Sequence, residues 1–141
     1  MTTTLHRAPA RLDRIARECL VEAAQSLQGH ALTVSEQLAG DLPDYPMDAP
    51  RIKEAVVCLL EESIRLAAAN SRLRLTVKAG RHGLMLSVKA PGPGIDPLHE
   101  KDAVPERAAG IAAAHGGRVW ANGAVGRGVT FYLTLPIPPT S

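Results

Sequence analysis

Leu73, Leu75 and Val77 alternate with Arg72, Arg74 and Thr76, and beyond Gly80-Arg-His-Gly83 the alternation resumes at Leu84, Leu86 and Val88. Successive side chains of a strand point to opposite faces, so this pattern is a β-hairpin with one apolar face. Such a face folds only when another element covers it. The preceding segment is built to do so. Ile52, Ala55, Val56, Leu59, Leu60, Ser63, Ile64 and Ala67 recur at steps of three and four, which is the stripe of an amphipathic helix. Asp48 is placed to cap that helix, Pro50 is tolerated in its first turn, and Asn70 is a natural stop.

The rest of the chain extends the same plan. Residues 1–10 read as a flexible arm. Leu12, Ile15, Ala16, Cys19, Leu20, Ala23 and Leu27 form a second helical stripe, which Gly29 can end. Leu32 and Val34 alternate with polar neighbours as a short strand would. Residues 41–50 hold three prolines and three aspartates and read as a loop. After Gly92-Pro-Gly94-Ile95 the chain is polar to Pro105. Glu106 to His115 reads as a short alanine-rich helix ended by Gly116 and Gly117, and Val119-Trp120 with Val129 to Leu135 form a last hairpin. The expected fold is α+β: about three helices on one face of a mixed, mostly antiparallel sheet, as a single domain over residues 11–136 with a tail at 137–141.

Composition narrows the functions. With 141 residues, 45% hydrophobic, the chain can bury one core, and with 3% aromatics that core is aliphatic. A formal charge of +2, with the basic residues scattered, argues for neither a nucleic-acid nor a membrane partner. No apolar run approaches the ~18 residues of a membrane span and Met1 to His6 has no signal core, so a cytoplasmic location is expected. Cys19 and Cys58 lack metal-ligand spacing and read as two buried thiols. His6 reads as a lone histidine in a loose arm, and His30, His82 and His99 as solvated. His115, at a helix C-terminus, reads as an imidazolium suited to the dipole. No nucleophile–base pair stands out, so no catalytic residue and no metal site is assigned.

Three stretches carry a family resemblance. Asp48-Ala-Pro-Arg51-Ile52-Lys53-Glu54-Ala55-Val56-Val57-Cys58-Leu59-Leu60-Glu61-Glu62-Ser63-Ile64 is similar to a helix reading Asp-x-x-Arg-Leu-x-Gln-(apolar)₃-Asn-Leu-Leu-x-Asn-Ala-Ile. Ala90-Pro-Gly92-Pro-Gly94-Ile95 is similar to the turn Asp-x-Gly-x-Gly-Ile. His115-Gly-Gly-Arg-Val-Trp120 with Gly126-Arg-Gly-Val-Thr130-Phe-Tyr-Leu-Thr-Leu-Pro136 is the third. Together they resemble the catalytic, ATP-binding domain of bacterial sensor histidine kinases, the family of the histidine-kinase-like and gyrase-type ATPases with the Bergerat-type fold.

The resemblance implies an ATP site, and the residues at its positions depart from the family pattern. The first helix asparagine falls at Cys58, and a thiol does not replace an amide. The second, which holds Mg²⁺, falls at Glu62; a carboxylate can ligate Mg²⁺ but adds negative charge beside a triphosphate. The aspartate that accepts from the adenine amine falls at Ala90, and an unpaired amine there costs about 1–3 kcal/mol. Gly92 and Gly94 keep the turn, and Thr130 lies in the last glycine-rich hairpin. The phosphate-cradling glycines before the last helix fall at Asp102-Ala-Val-Pro105, where Pro105 has no N–H to donate. The lid between, Asp96 to Lys101, is short.

The resemblance therefore implies a degenerate kinase-type ATPase domain without a cofactor, acting as a protein-interaction or regulatory module in two-component-type signalling. Its partner would be a helical hairpin, a response regulator or a second copy. The apolar face of the first helix, Leu12 to Leu27, and the short lid are the expected docking surface, with Leu20 and Leu98 as its test positions. Two other readings stand beside it. One is a divergent catalytic domain that uses Mg-ATP and a separate histidine-bearing chain; the other is an anti-sigma-factor-like kinase.

Overall fold

In the computed structural model, which describes residues 5–40, 42–81, 83–93 and 103–136, the chain runs β1 (Ala8–Ala10), α1 (Leu12–Gly29), β2 (Thr33–Leu38), β3 (Tyr45–Met47), α2 (Ala49–Leu66), β4 (Arg72–Gly80), β5 (Gly83–Ala90), α3 (Glu106–Ala114), β6 (Arg118–Ala124) and β7 (Gly128–Pro136). The main sheet has five strands in the order β2-β4-β5-β7-β6. Only β2 and β4 are parallel; the other neighbours are antiparallel. A parallel pair needs a long crossover, and β3 with α2 supplies it.

The helices lie on one face, which makes the expected α+β two-layer domain. α2 is the central element and touches α1, α3, β5 and β7. Its stripe is buried from Ile52 to Ile64, and it meets Leu73, Leu75, Val77, Leu84, Leu86, Val88, Phe131 and Leu133 in one apolar cluster. Leu60 is 1% exposed. Leu60→Ala should therefore lose about 2–5 kcal/mol of unfolding free energy in a denaturant titration, as buried leucines do. A loss under about 1 kcal/mol would mean that the stripe faces elsewhere.

Some expectations are corrected. Residues 8–10, expected in a flexible arm, form β1, and residues 45–47, expected in a loop, form β3. The two pair antiparallel, with Pro9 opposite Pro46. Proline cannot donate to a ladder, so such a pair survives only as a short separate ribbon. It is held by the sequestering of its side chains, since Tyr45 and Met47 are buried, and by the Tyr45 hydroxyl donating to the Pro136 carbonyl.

A further correction concerns His115, read as an imidazolium at a helix end, which is buried. Its Nδ1 lies 2.9 Å from the Ile111 carbonyl oxygen, and its Nε2 accepts from the Asp48 backbone N–H at 3.0 Å. One nitrogen donates and the other accepts, so the ring is the neutral tautomer with its proton on Nδ1. Asp48 completes the junction. As expected it caps α2, accepting from the Arg51 N–H at 3.4 Å, and it also accepts from the His6 N–H at 3.1 Å. Those backbone bonds, His6 first, hold its carboxyl below the usual range against the opposing effect of burial. The start of α2, the end of α3 and the N-terminal segment are thus joined through one aspartate.

Candidate functional site

Ala90 ends β5 and stands directly opposite Val129 of β7, on the sheet face that meets the helices. Both are buried, at 0% and 2% exposure. The position that the resemblance assigns to an adenine-binding acid is therefore a methyl group packed against a second aliphatic side chain, and neither accepts a hydrogen bond.

Gly92, two residues on, is explained by backbone contacts. The Ala68 N–H donates to the Pro91 carbonyl at 2.8 Å, which brings the turn against the end of α2. A Cβ on Gly92 would stand 2.9 Å from the Leu66 carbonyl oxygen and from the Ala68 nitrogen. The Gly126 N–H donates to the Pro93 carbonyl at 2.7 Å, which ties the β6–β7 turn to the same place. Gly94 and the lid from Asp96 to Lys101, with Leu98, lie outside the described residues.

Cys58 and Glu62 lie four residues apart on one row of α2, the row whose next turn, Leu66, meets Gly92. Cys58 is half-buried rather than buried, and lines a cavity of about 420 Å³ with Lys53, Glu54, Val57 and Arg107. Burial, then the Glu61 carboxylate, pushes its thiol above the ordinary range. Cys19 is fully buried, donates toward the Lys53 carbonyl, and is pushed up to about 12 by burial and by Glu22. Both cysteines are free. Glu62 does not line the cavity; its carboxylate is paired with Arg65 one turn on.

Thr130 is not brought to this place. It pairs with Lys89 and Asn122, one residue out of phase with the Ala90–Val129 pair, and so points to the opposite face of the sheet. The period of two in a strand decides this. Val129 is the β7 residue directly opposite Ala90.

The first turn of α3 has Pro105 at its N-cap with no side-chain cap, and Glu106 inside it. A carboxylate is favoured at that positive end, but it occupies the field that a phosphate would use. Among the described residues no group of three or more histidine, cysteine, aspartate or glutamate side chains could hold a metal ion. At the positions that the resemblance assigns, the side chains present do not fit Mg-ATP: the adenine acceptor is a methyl, the first amide is a half-buried thiol, and the carboxylate at the metal position is engaged by an arginine.

The expected docking face is also redrawn. Leu12, Ile15, Ala16, Cys19 and Leu27 of α1 are buried in the core. Leu20 is half-buried and Val21 is 76% exposed, and both line a groove of about 570 Å³ between α1 and β2. Of the apolar side chains of α1, Leu20, Val21, Ala23 and Ala24 remain at least partly on the surface. Among the described residues no helix is long and apolar enough to cross a membrane.

No family model matches the chain. Curated relatives include the adaptive-response sensory kinase SasA of Microcystis aeruginosa (strain NIES-843 / IAM M-2473), 25% identical over 95% of this chain and 40% of its own length. That of Synechococcus sp. (strain CC9311) is 26% identical over 92% and 39%. The chain thus spans about 40% of the relatives it matches. Among solved structures, the catalytic domain of histidine kinase ThkA superposes with a TM-score of 0.86 at 19% identity, over 96% of this chain and 100% of that one. Full-length ShkA in complex with AMPPNP gives 0.83 at 20% identity over 99% and 34%. ThkA in complex with the response regulator protein TrrA gives 0.80 at 22% over 92% and 41%. The chain has the fold of a histidine-kinase catalytic domain.

Proposed function

We propose that this domain is a protein-interaction or regulatory module of two-component-type signalling, built on the histidine-kinase catalytic fold and no longer dependent on ATP. The observation that carries the reading is the buried Ala90–Val129 pair at the adenine position. A ligand amine placed there would lose its hydrogen bond to water and gain none, at about 1–3 kcal/mol, or roughly tenfold to a hundredfold in affinity. Glu62, bound to Arg65, and the Pro105 cap of α3 support it independently. Gly92 and Gly128 have backbone reasons to persist, so their presence does not require a nucleotide. The partner fits the class seen with ThkA, whose solved complex holds a response regulator protein; a second copy of the chain would serve the same purpose. A cytoplasmic location goes with this reading.

Calorimetric titration with ATP and ADP, with and without Mg²⁺, tests it. The expected result is no dissociation constant below about 100 μM and no thermal shift at millimolar nucleotide. A tight, Mg²⁺-dependent isotherm would instead support the divergent catalytic domain working on a separate histidine-bearing chain. That reading draws on the AMPPNP complex of ShkA, which shares the fold.

A further inference from the structure

The side chains that alternate away from the helices make a second face of the sheet, and its charge has one sign. Arg72, Arg74 and Lys78 of β4, Lys89 of β5 and Arg118 of β6 all point there and all are exposed. Among the described residues no strand position on this face is acidic; Glu36 of β2 falls opposite Leu75, on the helix side. None of the five cations belongs to any of the ion pairs among the described residues. Arg74 stands directly opposite Lys89, and like charges directly across a ladder are destabilising. A chain folding for itself alone gains nothing from that placement. At one end the face opens into a cavity of about 330 Å³ that Lys78, Arg81 and Arg118 line together with Met85, Thr134 and Pro136.

We infer that this open face binds an acidic protein segment. The chemistry fits an extended chain with carboxylates at alternate positions and an apolar side chain for the cavity. Alternate residues of an extended peptide repeat at about 6.6–6.8 Å, the step that separates Arg72 from Arg74. A single-stranded nucleic acid would share the charge but needs open ring faces on which to stack bases. Trp120 is already stacked on Tyr132, with ring centroids 4.9 Å apart, and lies under the Arg118 guanidinium at 4.9 Å. The inference deepens the reading as an interaction module and rests on it, yet the two fail separately. Nucleotide binding would defeat the loss of ATP and leave this face untouched.

Trp120 is the only tryptophan and lies within the face, so its fluorescence reports occupancy. The ligand is a capped twelve-residue peptide of alternating glutamate and valine, titrated into the intact chain at low salt. A saturable change in Trp120 emission is expected, weakened about tenfold or more by Arg74→Glu and by Lys78→Glu, kept by Arg74→Lys, and reduced at high salt. Arg74→Glu should also raise the melting temperature, because it turns the like-charge pair with Lys89 into an opposite one. That second readout shows that the variant is folded. No saturable change at millimolar peptide would overturn the inference, as would equal affinity for Arg74→Glu and the parent. Tighter binding of an oligothymidylate of equal charge would overturn it too, and make the face a nucleic-acid site.

Discussion

Gly128→Ala is expected to lose at least about 3 kcal/mol of stability, enough to leave much of a marginal domain unfolded at 37 °C. Gly128 opens β7 with φ at +82°, a left-handed conformation that costs other residues about 1–2 kcal/mol. A Cβ there would also stand 2.3 Å from the Ala90 carbonyl oxygen and 3.0 Å from the Pro91 Cα. Both are backbone atoms of the neighbouring strand and its turn, so they cannot swing aside, and relief requires β5 and β7 to part at that point. Gly126 supplies the control. Its φ is +81°, but nothing lies within 4 Å of its would-be Cβ. Gly126→Ala should therefore cost only the conformational part, about 1–2 kcal/mol. Equal losses in parallel urea titrations would show that the contact with Ala90 is unimportant. A larger loss at Gly128 would mean that the second glycine of this turn answers to the sheet. The same logic holds at Gly92, pressed against the end of α2. Glycines that look like a nucleotide motif are then also what lets two layers close.

The main elements were legible in the sequence because their periods are long and clean. The α2 stripe and the Leu73-to-Val88 hairpin each repeat enough times to fix a face, and the core forms where they predict. What was hidden depended on partners far along the chain. β1 and β3 are three residues each and rich in proline, and they become strands only because they meet each other. His115 read as a charge at a helix end because its partner, the Asp48 N–H, is 67 residues away. Thr130 stands one residue from Val129, and in a strand one residue moves a side chain to the opposite face; the register with Ala90 cannot be read without the sheet. The apolar stripe of α1 looked available for a partner because a sequence does not show which of two helices covers the other. The basic residues looked scattered for the same reason that they are concentrated. Arg72 and Arg74 alternate with core leucines, so no run of charge appears along the chain, while the pleat collects them on one side.

Ala90→Asp, which puts back the acid that the family turn carries, is expected to destabilise the domain by about 3–5 kcal/mol at neutral pH, as an unpaired buried charge does. Ala90 is fully buried, and the side chains on its face, Val88 along β5 and Val129 across the ladder, offer no donor. A carboxylate there loses its water and finds no compensating bond, so the folded state would hold its proton more tightly than the unfolded chain, whose aspartate titrates near about 3.9. The sign of the pH dependence follows. Below the unfolded value both states are protonated and only the smaller cost of a neutral buried carboxyl remains. As pH rises from there toward the folded value the unfolded state ionises first, and the deficit relative to the parent grows. Comparing unfolding curves of the variant and parent between pH 4 and 8 reads this directly, and Ala90→Asn, which cannot ionise, should show a deficit without the pH slope. The opposite outcome is equally informative. A variant as stable as the parent would place water or open space beside residue 90, and if it also gained tenfold or more in ATP affinity, the acid alone would have been missing from a surviving pocket. Loss of stability with no gain in affinity would instead mean that the aliphatic pair Ala90–Val129 has become part of the core, and that the fold has been retained for its surfaces.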